Sequence, residues 1–509
     1  MNELDRRTVL RGTIAGVLAA SGCASATDSA TKSAGTATST PKSPAAPPAP
    51  QPVAARPGGP KASDWKALER DLEGRLLRPG DKGFRRATHL FDPRFDGDRP
   101  RGIVRAKNAH DVRDALRFAR KYDLPLRPKS GGHSYVGASM FSRGMVIDTS
   151  TLDHLAYHGG DKRVVVGAGV ELGHLHDRLD RHGRTVPTGT CPTVGVAGLT
   201  LGGGLGVESR LYGLTQDAVV DMQVVTADGK IRHVDAHHHP DLFWALRGGG
   251  GGNFAIVTRF TMRTFAAHRV QLFFLTWPGR YAVAVVRGWQ RRLPHMPRTS
   301  WANVHLDAND GYISPRIVGL SFSGDGHREA RALIRAVGRD PSDVSYTTKS
   351  HRGAMHLLAG SNGHQRQSFV AGTDVIGSRM RAPMLRDLAD VVRSRSRHGG
   401  GASVILDPLD GRAGARKPGS SAYPWRNALA SLQWYVGLPK PTGKAIKAGR
   451  TWIRHGHRAV AGRSVGGYVN YLEPGGHVRR YYGKHWKRLR RLAHKHDPQK
   501  VFHSRHTIR

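Results

Sequence analysis

Two short glycine-bounded stretches constrain this chain more than any other feature: RPKSGGHSYVG, from Arg127 to Gly137, and GTCPTVGVAGLTLGGGLG, from Gly189 to Gly206. Each sets one chemically capable side chain, His133 or Cys191, among glycines. Glycine lets a backbone turn at positive φ and approach a ligand closely, and successive amide N–H groups in such a loop cradle anions such as a pyrophosphate. The usual nucleotide fingerprints do not account for these loops. The pattern G-x-x-x-x-G-K-S/T is absent, and GGGLGVE follows a loop where a dinucleotide-binding unit needs strand, turn and helix. Taken singly, a glycine cluster is a set of tight turns and His133 a turn histidine. Three glycine loops with a histidine and a cysteine among them point instead to a cofactor.

At 509 residues the chain exceeds what one hydrophobic core usually serves, so two structural domains plus tails are expected. Lys and Arg number 79 against 39 Asp and Glu, a formal net charge of +40. That excess is spread along the whole chain, and neither zinc-finger spacing nor the aromatic signature of a common RNA module accompanies it. No nucleic-acid partner is therefore expected. The charge reads mainly as solvated surface, with attraction to anionic cell-wall or membrane surfaces as the secondary reading.

The N-terminus reads as an address. Arg6 and Arg7 precede a short apolar run from Thr13 to Ser21 and then small residues, the order of a signal peptide and too short to span a bilayer. The arginine pair resembles a bacterial Tat signal, so the protein is expected to be exported, to the outer face of the membrane or beyond. Two ends are open: cleavage after Ala26, or lipid attachment at Cys23 in the lipobox-like AASGC. Either removes or caps Cys23, and Cys191 is the only other cysteine, so no internal disulfide is expected. A lone thiol in an oxidising compartment is usually buried and inert; its glycine-rich loop argues for a more reactive role. Residues 27–61, dense in Ala, Pro, Ser and Thr, are expected to be a disordered linker.

From Ala62 the patterns are those of a folded body. SDWKALERDLEGRLL places Trp65, Leu68, Leu72 and Leu76 at helical spacing, GIVRA and LPLRPKS read as strands, and Asn108 caps an intervening helix. RVVVGAGV reads as a buried strand, ELGHLHDRLDRHG as a helix, Gly189–Gly206 as a loop, and AVVDMQVVTADGKIRHV as a strand. Beyond about Thr264 long strands (VQLFFLTWP, TSWANVHLDA, PRIVGLSFSG, ALASLQWYVGL) alternate with helices (RYAVAVVRGWQRRL, HREARALIRAVG, PMLRDLADVVRSRSR). In SLQWYVG, Gln433 and Tyr435 share one face and Leu432, Trp434 and Val436 the other; one of the two is expected to look into the active site. The basic stretch HVRRYYGKHWKRLRRLAHKHD has Val478, Tyr482, Trp486, Leu489 and Ala493 at helical intervals. His237, His238 and His239 are consecutive in a turn and so do not converge on one ion; no metal is expected.

SGGHSYVG, GTCPTVGVAGLTLGGGLG, YGLTQDAVV, DLFWALRGGGGGNFAIVT, NYLEP and RRYYGKHWKRLRRLAHKHDPQKVF occur in an order and spacing that resembles the berberine bridge enzyme-like FAD-linked oxidoreductases. The resemblance runs from about Trp65 to Phe502 and is weakest between Thr264 and Tyr468. It implies an α+β fold: a two-part PCMH-type FAD-binding domain (62–266), a substrate-binding domain with an antiparallel sheet flanked by helices (267–460), and a C-terminal segment (461–509) returning to the first domain. It also implies FAD held by two covalent bonds, from His133 to the 8α-methyl and from Cys191 to C6 of the isoalloxazine. A neutral imidazole and a thiolate are side chains able to add to an electrophilic flavin.

By position, the amides of Ser130, Gly131, Gly132 and Ser134 are expected to hold the pyrophosphate, and Gly195, Gly198, Gly202 and Gly203 to let the second loop approach the ring and ribityl chain. Asn253 and Phe254 match a later cofactor-facing turn. Lys129 stands where the family usually has Arg, which loses bidentate bonding, and Leu199 where some members have a His. Tyr471 matches the residue that acts as base toward a substrate hydroxyl while hydride passes to flavin N5. Since a free tyrosine has a pKa of roughly 10, that role requires a cationic neighbour or the flavin itself; a packed aromatic is the plain alternative. Glu473 replaces the Asp of the usual NYxD pattern. The residue three after the cysteinyl site is Val194, a small gate that the family resemblance associates with oxidases. The resemblance thus implies an oxidase acting on an alcohol of a carbohydrate or secondary metabolite, with O2 as acceptor and H2O2 as product. The alternatives are a flavin dehydrogenase and a non-catalytic wall-binding protein.

Overall fold

The computed structural model describes residues 59–509 apart from 310, 362, 398–400, 504–505 and 509. The leader, Cys23 and the linker up to residue 58 lie outside the described residues.

Among these residues the first half builds a four-stranded sheet in the spatial order Arg75–Leu77, Gly102–Arg105, Met145–Asp148, Leu126–Lys129. The last three strands run parallel, with the helix Ala109–Lys121 connecting two of them. The side chain of Asn108 accepts the Asp111 N–H at 2.9 Å, the expected cap, and Val112, Leu116 and Phe118 are buried. The opening helix ends earlier than its apolar spacing predicts, at Asp71, and Leu76 belongs to a strand. Tertiary contacts draw the chain out: the N–H groups of Glu73 and Gly74 donate to the Asp111 carboxylate, each at 2.9 Å. Gly74 also lies so close to the Arg105 carbonyl that a Cβ would stand 2.1 Å from its oxygen.

A five-stranded antiparallel sheet follows, ordered Leu155–His158, Arg163–Gly167, Ala255–Arg263, Val219–Thr226, Ile231–Val234. The run expected as one strand from Ala218 is a hairpin of the last two, turning at Gly229 with φ 74°.

The second half is an eight-stranded antiparallel sheet. Its spatial order is Asp343–Lys349, Val270–Thr276, Tyr312–Ser321, Ser300–Asn309, Ala402–Pro408, Ala430–Gly437, Phe369–Ile376, Ser464–Gly466. The helices Ala282–Arg292, Gly326–Val337, Ala382–Arg397 and Gly443–Val460 pack on one face, around Trp289, Leu306, Leu333 and Trp434. Leu432, Trp434 and Val436 belong to that core, which turns Gln433 and Tyr435 to the other face, toward the first half. Phe369–Ile376 and Ala402–Pro408 escape a reading by alternation because every residue in them is buried.

The C-terminal stretch is α-helical only from Trp486 to His496; before it the chain makes two 3-10 turns, Val478–Tyr481 and Gly483–His485, with Gly483 at φ 47°. Leu489 and Leu492 enter the core that holds Trp244 and Phe254, and the Tyr482 hydroxyl donates to the Gly249 carbonyl at 2.9 Å. The tail therefore closes onto the first half.

Candidate active site

The two glycine loops touch backbone to backbone. A Cβ on Gly131 would stand 2.3 Å from the Gly195 nitrogen, and one on Gly195 would stand 2.4 Å from the Gly131 nitrogen. No other residue fits at either position without moving a loop. The second stretch is not a loop throughout: Val196 to Gly202 forms a short helix beginning after Gly195.

This contact brings Ser130, Gly131, Gly132, His133, Ser134, Cys191, Gly195, Gly198 and Tyr471 to the wall of one cavity. Gly198 has open space where a Cβ would point. Leu172, Val194, Ala197, Leu201, Ile256 and Val257 supply an apolar lining, and the Ser130–Ser134 backbone a polar one. An extended group with an anionic part and a flat, largely apolar part fits that division. Four further residues of the expected set are not among those lining the cavity. Gly202 faces the Asn470 side chain, Gly203 packs on Tyr423, Phe254 is fully buried in the core, and Asn253 donates to the Gly249 carbonyl at 3.3 Å. These residues hold the wall from behind, while Gly250, Gly251 and Gly252 line it. Lys129 is engaged elsewhere, with Asp148 at 3.0 Å.

His133 stacks on Phe91, ring centroids 4.0 Å apart, and its Nε2 lies 2.9 Å from the Thr193 hydroxyl. Burial lowers its pKa to about 3, so the imidazole is neutral, the form able to attack an electrophile. Cys191 is 4% exposed. Cys23, the only other cysteine, lies outside the described residues, and with it the expectation on disulfides.

Tyr471 is buried and stacks on Tyr135, with centroids 5.2 Å apart and planes within 3°. Burial raises its pKa well above the ordinary tyrosine value, and Tyr135 and Asp407 add to the shift. Behind the tyrosine pair lies a polar patch that sequence reasoning missed. Gln433 donates to the Tyr135 hydroxyl at 2.6 Å, and Asn303 to Asp407 Oδ1 at 3.0 Å. Burial raises the Asp407 carboxyl to about 6. Asp407 Oδ2, Asn303 Oδ1, Ser431 Oγ and Gln433 Oε1 are buried without hydrogen-bond partners. Each such atom costs about 1–3 kcal/mol, so a cluster of them marks a functional surface.

Glu473, two residues beyond Tyr471, anchors this turn to the sheet edge. Its carboxylate accepts the Thr373 N–H at 3.0 Å, Arg480 at 3.0 Å and His457 Nε2 at 2.8 Å. His457 Nδ1 also meets Asp374 at 2.6 Å. Burial opposes charge on His457, but the hydrogen bonds to Asp374 and Glu473 prevail and raise its pKa to about 9. Away from the cavity, His238 and not its two neighbours joins His233 around Asp235, at 3.0 and 2.9 Å.

Comparisons with known proteins agree with this arrangement. Residues 100–235 match the family model described as an FAD binding domain, and residues 467–509 that described as berberine and berberine like. The FAD-linked oxidoreductase YgaK of Bacillus subtilis is 30% identical over 447 residues, covering 86% of this chain and 97% of the relative. A carbohydrate oxidase of Microdochium nivale is 27% identical, covering 85% and 92%. Among solved structures, the glucooligosaccharide oxidase of Acremonium strictum superposes with a TM-score of 0.81 at 24% identity, covering 88% of this chain and 98% of that one. Berberine bridge enzyme of Eschscholzia californica gives 0.77 at 20% identity, covering 87% and 98%. With both loops, the berberine-like C-terminal segment and a relative matched along nearly its whole length, the chain belongs to the berberine bridge enzyme-like family of FAD-linked oxidoreductases.

Proposed function

We propose that the protein is an exported oxidase that removes hydride from a hydroxyl-bearing carbon of a small carbohydrate or secondary metabolite. The observation that carries this reading is the single cavity lined by His133, Cys191, Val194 and Tyr471. The names of the Microdochium nivale and Acremonium strictum relatives support the substrate class.

The Ser130–Ser134 amides would hold the pyrophosphate of FAD. His133, neutral and held by Thr193, would supply the bond to the 8α-methyl. The Cys191 sulfur, at the wall of the same cavity, would supply the second bond, to C6 of the isoalloxazine. Bound FAD would supply the hydride acceptor, so that the substrate's hydride and hydroxyl proton together reduce O2 to H2O2. Tyr471 holds the substrate hydroxyl. Its high pKa keeps it a hydrogen-bonding phenol, and the nearby Asp407 carboxyl, ionised above about pH 6, raises that pKa further. Val194, at the cavity wall, leaves room for oxygen.

Two measurements decide. Flavin should stay with acid-precipitated protein and map to the peptides containing His133 and Cys191; flavin released by acid overturns covalent attachment. A screen of sugars, alcohols and phenols under air should give peroxide in step with turnover. Reduction of an artificial acceptor without peroxide would make the enzyme a dehydrogenase.

A further inference from the structure

A cleft of about 500 Å³, sharing no lining residue with the flavin cavity, is walled by Arg263, Arg298, Arg412 and Arg416 beside Tyr212 and Phe265. Lys417 joins Arg412 and Arg416 in an adjoining recess. These cations come from separate parts of the chain: the end of the strand Ala255–Arg263, the turn before Ser300–Asn309, and the loop after Ala402–Pro408. The fold assembles them; they are not a charge run.

The neighbouring acids are already committed. Asp217 pairs with Arg426 at 2.7 Å and Asp410 with Arg210 at 2.7 Å. Among the described residues, none of Arg263, Arg298, Arg412, Arg416 and Lys417 has a carboxylate within ion-pair distance. Arg416 Nε is buried without a hydrogen-bond partner, and Arg263 donates to the backbone carbonyl of Asp217 at 2.8 Å. Burial, and then the opposing charge of Arg416, push the Arg263 pKa down. Guanidinium groups gathered around one cleft repel one another unless an anion lies between them. Tyr212 and Phe265, stacked at 4.3 Å, give the cleft an aromatic wall.

We propose that this cleft binds a ligand carrying two or more phosphate groups. Guanidinium forks match phosphate oxygens in pairs, and several cations with no carboxylate among them suit a multiply charged oxyanion. A soluble oligophosphate and a membrane phospholipid share that chemistry, and the experiment separates them.

Calorimetry of the full chain with sodium tripolyphosphate at fixed ionic strength should show one saturable site. In Arg263→Gln/Arg412→Gln/Arg416→Gln the Kd should rise about tenfold or more, as loss of charge-assisted forks implies. The exposed control triple Arg331→Gln/Arg335→Gln/Arg386→Gln removes the same charge and should shift Kd by less than about twofold, screened charge being weak. Equal losses in both triples, or no saturable site in the parent, overturn the cleft and leave bulk charge as the explanation. Sedimentation with cardiolipin–phosphatidylcholine vesicles, cardiolipin carrying two phosphates, assigns the source. Vesicle binding lost in the cleft triple identifies a lipid headgroup; vesicle binding unchanged beside lost tripolyphosphate binding identifies a soluble ligand. Thermal melting confirms folding, and if the cleft triple fails it, Arg416→Gln alone should weaken tripolyphosphate binding several-fold.

Discussion

The floor and the roof of the cavity are made from different materials. The floor is backbone: two loops pressed together at Gly131 and Gly195, where no Cβ fits. The roof is side chains: Tyr135 and Tyr471 stacked, with Gln433, Asp407, Asn303 and Ser431 behind them on three adjacent strands. A backbone floor tolerates almost no substitution and suits an invariant cofactor. A roof of separate side chains can change one residue at a time, and in a family whose members share a cofactor that is where differences among substrates can reside.

Four perturbations test this division. The largest effect should come from Tyr471→Phe, which removes one hydroxyl of the roof: kcat should fall about 10²–10⁴-fold, the usual reach of a proton-transferring group, while covalent flavin content stays unchanged. Loss of flavin in that variant would mean that roof and floor are not independent. Next, His457→Gln should cost on the order of 2 kcal/mol of stability near neutral pH, by thermal melting. The His457 pKa is raised in the fold to about 9 from 6.5. Its stabilising contribution is therefore fully present below about pH 6.5 and disappears as pH rises through about 9; parent and variant should converge there. Gly195→Ala pushes a methyl into the facing loop and should lower flavin incorporation about tenfold, equivalent to about 1.4 kcal/mol, read by absorbance per protein. The mildest effect is expected for Asp407→Asn. The parent kcat/KM should fall as pH rises through about 6, because the ionised carboxyl disfavours proton loss from Tyr471. The variant should be flat and about threefold faster above that pH, as expected for loss of one opposing charge. A parent profile without that inflection would remove Asp407 from the chemistry.

The floor was legible in the sequence and the roof only partly so. Glycine is informative at Gly131 and Gly195 because what excludes other residues there is local sterics, and His133 and Cys191 sit within the same short stretches. Gly202, Gly203, Asn253 and Phe254 stand behind the lining residues for one reason: closeness in sequence does not say which side of a turn faces the cavity. Asp407 lies in a strand buried throughout, where a carboxylate among Val404, Ile405 and Leu406 has no distinguishing pattern. The sole local sign was a charged residue in an apolar run. Gln433 and Tyr435 were placed on a common face by alternation, but only the helices on the Trp434 side show which face looks toward the flavin cavity.

By itself, then, the sequence determined the two loops, the pairing of a histidine with a cysteine, the family, and most helices whose caps and periodicity are local. The tertiary structure alone decided where the opening helix stops, which strand face forms the roof, and the grouping of Asp407 with Tyr471. It also gathered Arg263, Arg298, Arg412 and Arg416 around one cleft. Steric limits on backbone and short-range periodicity are written residue by residue. Burial, the field of a distant carboxylate and the meeting of like charges exist only once remote segments have been packed together.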